Sequence, residues 1–468
     1  MSLLAEPIAT ARHTATLGVE GRVQSVAGLT VHVLGLPVPV GALCEIRSDS
    51  GRAIPAEVIG FRKDTTLLMP LVEAEGLTKG QRVRHLTNTQ KVPVGSALLG
   101  RVLDAMGEAC DGGDPICVDR YYPLYRNPPD AMQRPAIDTP ISVGIRSINA
   151  MLTAGRGQRL GVFSGTGVGK SVLLGMMARY TAADVAVIAL VGERGRELRD
   201  FIVKDLGPEG LKRSVLVVST SDQSPPLRWR ACFTATAIAE YFRDRGADVL
   251  LLMDSVTRAA MAARQIGLAA GEPPATKGYP PSVFAKLPRL FERSGRTERG
   301  SITGLYTVLV EGDDVNEPIA DAVRGYLDGH IWLSRKLANR GQYPAVDVLE
   351  SISRVMPDVV EADHLRAVQR VKRLLAVWEE IEDLVNIGAY AAGTNPEFDL
   401  VIRLRPVIEA FLRQGMDEGV DFESASRALR ALGEQIDKAA DELAEDAQRQ
   451  SPAKSANRVA GGARPDKA

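Results

Sequence analysis

Lys170 and Ser171 close a run in which Gly165, Gly167 and Gly169 stand at every second position, with Thr166 and Val168 between them and Val172 following. Together these residues can hold a phosphate chain. Glycines let successive backbone N–H groups turn inward on an anion, a lysine ammonium reaches terminal phosphates, and a serine hydroxyl is a hard oxygen donor for Mg²⁺. The strict pattern G-x-x-x-x-G-K-[ST] has glycine where this chain has Ser164. Serine is small, and that position mainly ends the preceding strand, whereas the positions that wrap phosphate keep glycine.

The flanks supply the mounting. Leu160, Val162 and Phe163 form an apolar run before the glycines, and Leu173, Leu174, Met176 and Met177 follow at helical spacing, which predicts strand, loop and helix. Phosphoryl chemistry also needs an acidic group for Mg²⁺, and the apolar run Val249 to Met253 ends in Asp254. The run DVAVIALVGE ends in Glu193, followed by Arg194 and Glu197, where strand ends of open α/β sheets face ligands. A carboxylate there can orient and deprotonate water, or Glu193 can pair with Arg194 or Arg196 in a surface loop; the residues alone leave both open. Arg258, one helical turn beyond Asp254, is either a γ-phosphate contact or a surface arginine.

A chain of 468 residues, with 57 Lys and Arg against 58 Asp and Glu, is long enough for several domains and carries no bulk field to attract nucleic acid or anionic membrane. Cys44, Cys110, Cys117 and Cys232 show neither zinc spacing nor C-x-x-C, which predicts reduced thiols and a cytosolic setting. The five histidines form no metal or triad spacing. No secretory leader or membrane-length apolar run is legible.

The expected organisation is a short N-terminal extension (1–18), a small antiparallel β-barrel (19–90), a P-loop α/β domain (91–355), a helical domain (356–445) and a disordered tail (446–468). Short β-branched runs between Gly and Pro turns predict the barrel. Near-continuous apolar runs alternating with helical segments predict a mostly parallel sheet covered on both faces. Val92 to Pro115 reads as a turn-rich link with an exposed turn at Asp111–Asp114, and GAYAAGTNPEF separates two C-terminal helices.

The set SGTGVGKS, VGERGRE, LLLMDSVTR, GEPPATKGYPPSVF and YPAVDVLESISR resembles the flagellar export ATPases and their injectisome (type III secretion) relatives, both similar to the catalytic subunit of rotary ATP synthases. The resemblance spans roughly residues 20–440, and SGTGVGKSVLLGMMARYT sits closer to the flagellar branch. It implies a RecA-like core and a homohexameric, Mg²⁺-dependent ATPase. Lys170 and Ser171 would bind phosphate and Mg²⁺, Glu193 would activate water, and Arg194 and Arg258 would lie near the γ-phosphate. Glu197 and Asp254 would order the Mg²⁺ shell, Tyr343 would stack on adenine, and Arg354 would be an arginine finger serving the next subunit.

Implied partners are a coiled-coil stalk or regulator protein, the export gate, and export substrates or their chaperones, at the cytoplasmic face of the inner membrane. GEPPATKGYPPSVF and Gly388 to Phe398 would face the central pore. The injectisome ATPase is the nearest alternative. An ATP synthase catalytic subunit is disfavoured by the secretion-type segments GLKRSVLVVSTSD and GEPPATKGYPPSVF, and a noncatalytic ring subunit by Glu193. An RNA translocase is disfavoured by the neutral charge and by a barrel without an aromatic and basic platform.

Overall fold

The computed structural model describes residues 18–49, 51–310 and 317–450. The N-terminal extension, apart from Gly18, and residues 451–468 of the expected tail lie outside the described residues.

Strands Glu20–Ala27, Thr30–Leu34, Leu43–Arg47, Ala53–Arg62, Thr65–Pro70 and Arg82–Thr87 close into an antiparallel barrel in the order first, second, fifth, fourth, third, sixth. Alternation fills it: Cys44 and Ile46 on one strand and Ile54, Ala56 and Val58 on the next point inward and are fully or almost fully buried.

The second layer system is one large sheet. Its spatial order is Val346–Ser353, Gly329–Leu333, Arg159–Ser164, Ser301–Leu309, Asp248–Asp254, Val185–Glu193, Ser214–Thr220 and Val102–Leu103. All these neighbours run parallel except the first pair, and Gly295–Arg296 adds a short antiparallel piece beside Ser301–Leu309. Val185–Glu193 is buried at every position because helices cover both faces. The P-loop helix and the C-terminal helices pack on one face, and helices Pro225–Asp244, Val256–Ala269 and Pro281–Phe291 on the other.

Three places depart from the sequence reading. Within the turn-rich link, Val102–Leu103 joins the sheet as an edge strand beside Leu216 and Val217. Arg101 holds it there with a two-pronged grip on Asp111 at 2.7 Å for each contact, and Asp111 also accepts the Val102 N–H at 3.0 Å. Two apolar residues are too short a run to signal a strand. Val346–Ser353 runs antiparallel at the other edge, an addition that mixed sheets often carry. Beyond helices Ala362–Asn386 and Pro396–Leu412 comes a third, Phe422–Gln450, which overlaps the start of the segment expected to be disordered.

Buried His364 sits at this seam: one ring nitrogen is 2.7 Å from the Ala150 carbonyl and the other 2.9 Å from the Ser426 hydroxyl. Among the described residues no helix is long and apolar enough to cross a membrane.

Candidate active site

The strand Arg159–Ser164 lies inside the sheet, and its last residue opens the glycine loop. Ser164 is fully buried, so the residue that departs from the strict motif sits under the loop rather than in its phosphate-facing curve. The helix Lys170–Tyr180 starts from Gly169 with φ 86°, a left-handed conformation that favours glycine. Its first N–H groups have no intrahelical acceptor and point to the loop's mouth.

Parallel pairing brings the other strand ends to the same edge. Asp254 stands opposite Leu190 in the neighbouring strand, and Glu193 follows a little further along that strand. Lys170 pairs with Asp254 and lies 3.7 Å from Glu193. Asp254 is 3% exposed and accepts a hydrogen bond from the Thr307 hydroxyl at 2.6 Å. A carboxylate this buried persists only when paired and hydrogen-bonded, and here it is both.

Glu193 also pairs with Arg258, and not with Arg194 or Arg196 as the surface-loop reading would have it. Arg258 is in the first turn of the helix Val256–Ala269, where Ser255 caps its N–H at 3.3 Å. Gly192 has φ 73°, and a Cβ there would come within 2.9 Å of Arg258 Cδ, so glycine is what lets the arginine pass.

Hydrogen bonding with Glu193, then the positive charges of Arg194 and Arg258, hold Glu197 below the usual carboxylate range. Arg194 is the outlier among the expected residues: its side chain is 81% exposed, and its ion-pair partner is Glu197 at 4.0 Å.

Tyr343 packs on the loop from the side, its ring 3.4 Å from where a Cβ on Gly169 would sit, with almost half its surface open. Arg335 Nη1 donates to the Thr166 carbonyl at 3.1 Å, and Gln414 N–H donates to the Tyr343 carbonyl at 3.0 Å. Thr307, Arg335 and Gln414 were not singled out in the sequence. Thr307 reads as an ordinary strand residue, and the other two reach the site through tertiary packing that no local pattern signals.

Arg354 is elsewhere. In the edge pairing Leu333 stands opposite Val346 at the P-loop end, and Gly329 opposite Ser353 at the far end. Arg354 follows Ser353, exposed, with Nη1 donating to the Leu327 carbonyl at 3.3 Å. Its backbone N–H bonds to the Asp328 carbonyl, five residues back from Leu333, so at about 3.3 Å per residue it lies roughly 16 Å along the sheet from its own P-loop edge.

Among the described residues no three His, Cys, Asp or Glu side chains gather as a metal centre. The site offers a serine hydroxyl and carboxylates, oxygen donors of the kind Mg²⁺ takes together with phosphate. The residues present therefore fit Mg²⁺ and a nucleoside triphosphate.

Comparison with known proteins agrees. Residues 144–353 match the ATP synthase alpha/beta family, nucleotide-binding domain, residues 23–87 its beta-barrel domain, and residues 360–431 the T3SS EscN ATPase C-terminal domain. The flagellum-specific ATP synthase of Bacillus subtilis is 53% identical over 420 residues, which cover 88% of this chain and 94% of that one. The type 3 secretion system ATPase of Xanthomonas euvesicatoria is 50% identical over 425 residues, covering 90% and 96%.

The assembled ATPase EscN of the enteropathogenic E. coli type III secretion system superposes with a TM-score of 0.83 at 43% identity, over 88% of this chain and 100% of that one. EscN in complex with its central stalk EscO gives a TM-score of 0.82 at the same identity and coverage. From the glycine loop to the C-terminal helices, the chain belongs to the family of flagellum-specific and type III secretion ATPases related to the ATP synthase α/β subunits.

Proposed function

We propose that the protein forms a homohexameric ring that hydrolyses Mg²⁺-ATP at sites shared between neighbouring subunits, and that this turnover energises or gates protein export by a flagellar type III apparatus. One observation carries the reading. Lys170, Glu193, Asp254 and Arg258 meet at one edge of the sheet, while Arg354, the candidate finger, is carried to the opposite end of the same sheet. A chain built this way holds both halves of a site but faces them apart, so a neighbour must complete each one.

In this mechanism the glycine loop and Lys170 bind the phosphates. Ser171 and Asp254, with Glu197 at the rim, would hold Mg²⁺, which when bound would offset phosphate charge. Glu193, anchored by Arg258, orients the attacking water and accepts its proton. Arg194, exposed at the start of the next helix, is available to the γ-phosphate side of a closed interface. Tyr343 covers the adenine. Arg354 of one subunit enters the neighbour's site, where a fixed guanidinium stabilises charge on the transferring phosphoryl group.

The relatives support the setting: the EscN structures are of an assembled ATPase, one with its central stalk. A stalk protein in the pore, the export gate, cargo or its chaperones, and a peripheral position at the inner membrane complete the proposal.

The test of the chemistry is Glu193→Gln, which keeps the shape and loses the proton acceptor. ATP and Mg²⁺ binding should persist, measured by calorimetry, while phosphate release falls by at least a hundredfold. A collapse of ATP affinity together with rate would make Glu193 a structural or metal residue.

A further inference from the structure

Glu382 lies on the helix Ala362–Asn386, away from every step described above, yet it is one of the most fully engaged carboxylates in the protein. Its side chain is 8% exposed. Arg340 grips both oxygens, Nη1 on Oε1 at 2.7 Å and Nη2 on Oε2 at 2.9 Å. Lys336 Nζ is 3.1 Å from Oε2, and the Trp378 indole N–H donates to Oε1 at 3.1 Å. Arg405, from the helix Pro396–Leu412, approaches Oε1 at 3.9 Å while its guanidinium lies 3.8 Å from the centre of the Trp378 ring. A two-pronged charged pair with stacking behind it fixes direction as well as distance.

Lys336 and Arg340 both belong to the stretch 335–343. That stretch begins with Arg335, which donates to the Thr166 carbonyl in the glycine loop, and ends with Tyr343 against Gly169. Between them lie only the short helix Arg335–Asn339 and a turn at Gly341 with φ 69°. A helix this short has little stability of its own. Its place is set by what grips it, and the grip in the middle is Glu382.

We infer that Glu382 is a positioning residue for the nucleotide base: it holds the stretch 335–343 at the distance from the glycine loop at which Tyr343 can cover adenine. The inference rests on the reading of Tyr343 as the adenine contact. Because Glu382 touches neither phosphate nor base, its loss should act on base recognition and leave the phosphate chemistry in place.

The experiment is steady-state ATP hydrolysis by the full-length enzyme carrying Glu382→Gln, which keeps the volume and loses the charge. The Michaelis constant for ATP should rise about fivefold or more with maximal rate within about twofold, and the preference for ATP over GTP should narrow. Arg340→Lys keeps a cation but loses the fork. It should shift the same constants less, and it carries the test if Glu382→Gln folds poorly.

Tyr343→Ala is measured in parallel, alone and combined with Glu382→Gln. If Glu382 acts through Tyr343, the double variant should be no worse than Tyr343→Ala alone. Fully multiplicative effects, or an unchanged Michaelis constant in both Glu382→Gln and Arg340→Lys while Tyr343→Ala raises it, overturn the inference and leave the proposed function standing. An unchanged Michaelis constant in Tyr343→Ala removes the adenine reading, and the inference with it.

Discussion

Lys170 balances two carboxylates at once, and that gives it a structural as well as a chemical part. Lys170→Ala removes a charge that phosphates need and leaves Asp254 buried without its cation. ATP hydrolysis should be abolished, and chemical denaturation without nucleotide should show a loss of about 3–5 kcal/mol, the cost of breaking a buried pair from one side. Retained phosphate release in a clean preparation would contradict the assignment.

Thr307→Val tests the neighbour that holds Asp254 from the other side. Losing one hydrogen bond to a buried carboxylate should cost about 1–2 kcal/mol in the same denaturation measurement. Lys170, Ser171, Asp254 and Glu193 were legible in the sequence because glycine spacing and acidic strand ends are local signals. Thr307, Arg335 and Gln414 were not, since each acts through a partner distant in the chain.

The parallel register converts those local signals into a site. It brings the ends of Arg159–Ser164, Asp248–Asp254 and Val185–Glu193 to one edge, as the alternating apolar runs predicted. The edge strand Val346–Ser353 was harder to foresee. The sequence marked its flanking Tyr343 and Arg354 through resemblance, but its direction depends on pairing with Gly329–Leu333, and direction is what separates the two residues. The link strand Val102–Leu103 was missed because it is too short to show a period, and the helix Phe422–Gln450, which lies mostly within the expected helical domain, runs a few residues into the polar stretch expected to be disordered.

The C-terminal helices also carry a pH signature. Glu382 is held down to about 2, first by hydrogen bonding from Arg340 and then from Lys336 and Trp378. A carboxyl lowered on folding stabilises the protein above its unfolded pKa, about 4.3, and that contribution is lost as pH falls toward 2. The difference in melting temperature between wild type and Glu382→Gln should therefore be full at pH 6 and shrink steadily below about pH 4.5. A difference constant down to pH 3 would mean that the charge of Glu382 does not contribute.

For the molecule as a whole, the proposed function requires that a neighbouring subunit complete each site. Specific activity should rise with protein concentration across the assembly range, followed by sizing at each concentration; a monomer with full activity would contradict the ring. Arg354→Ala should keep nucleotide binding nearly intact and lower turnover by roughly a thousandfold, the range of arginine fingers.

The decisive measurement mixes two inactive proteins, Lys170→Ala, which still offers Arg354, and Arg354→Ala, which still has its glycine loop. In randomly mixed rings about a quarter of interfaces unite a sound loop with a sound finger. With mixed rings verified by native mass spectrometry, the account predicts that ATP hydrolysis returns in the mixture, or that each variant poisons wild type more steeply than dilution. Mixed rings showing neither effect would contradict it, and Arg354 would then act within its own subunit or not at all.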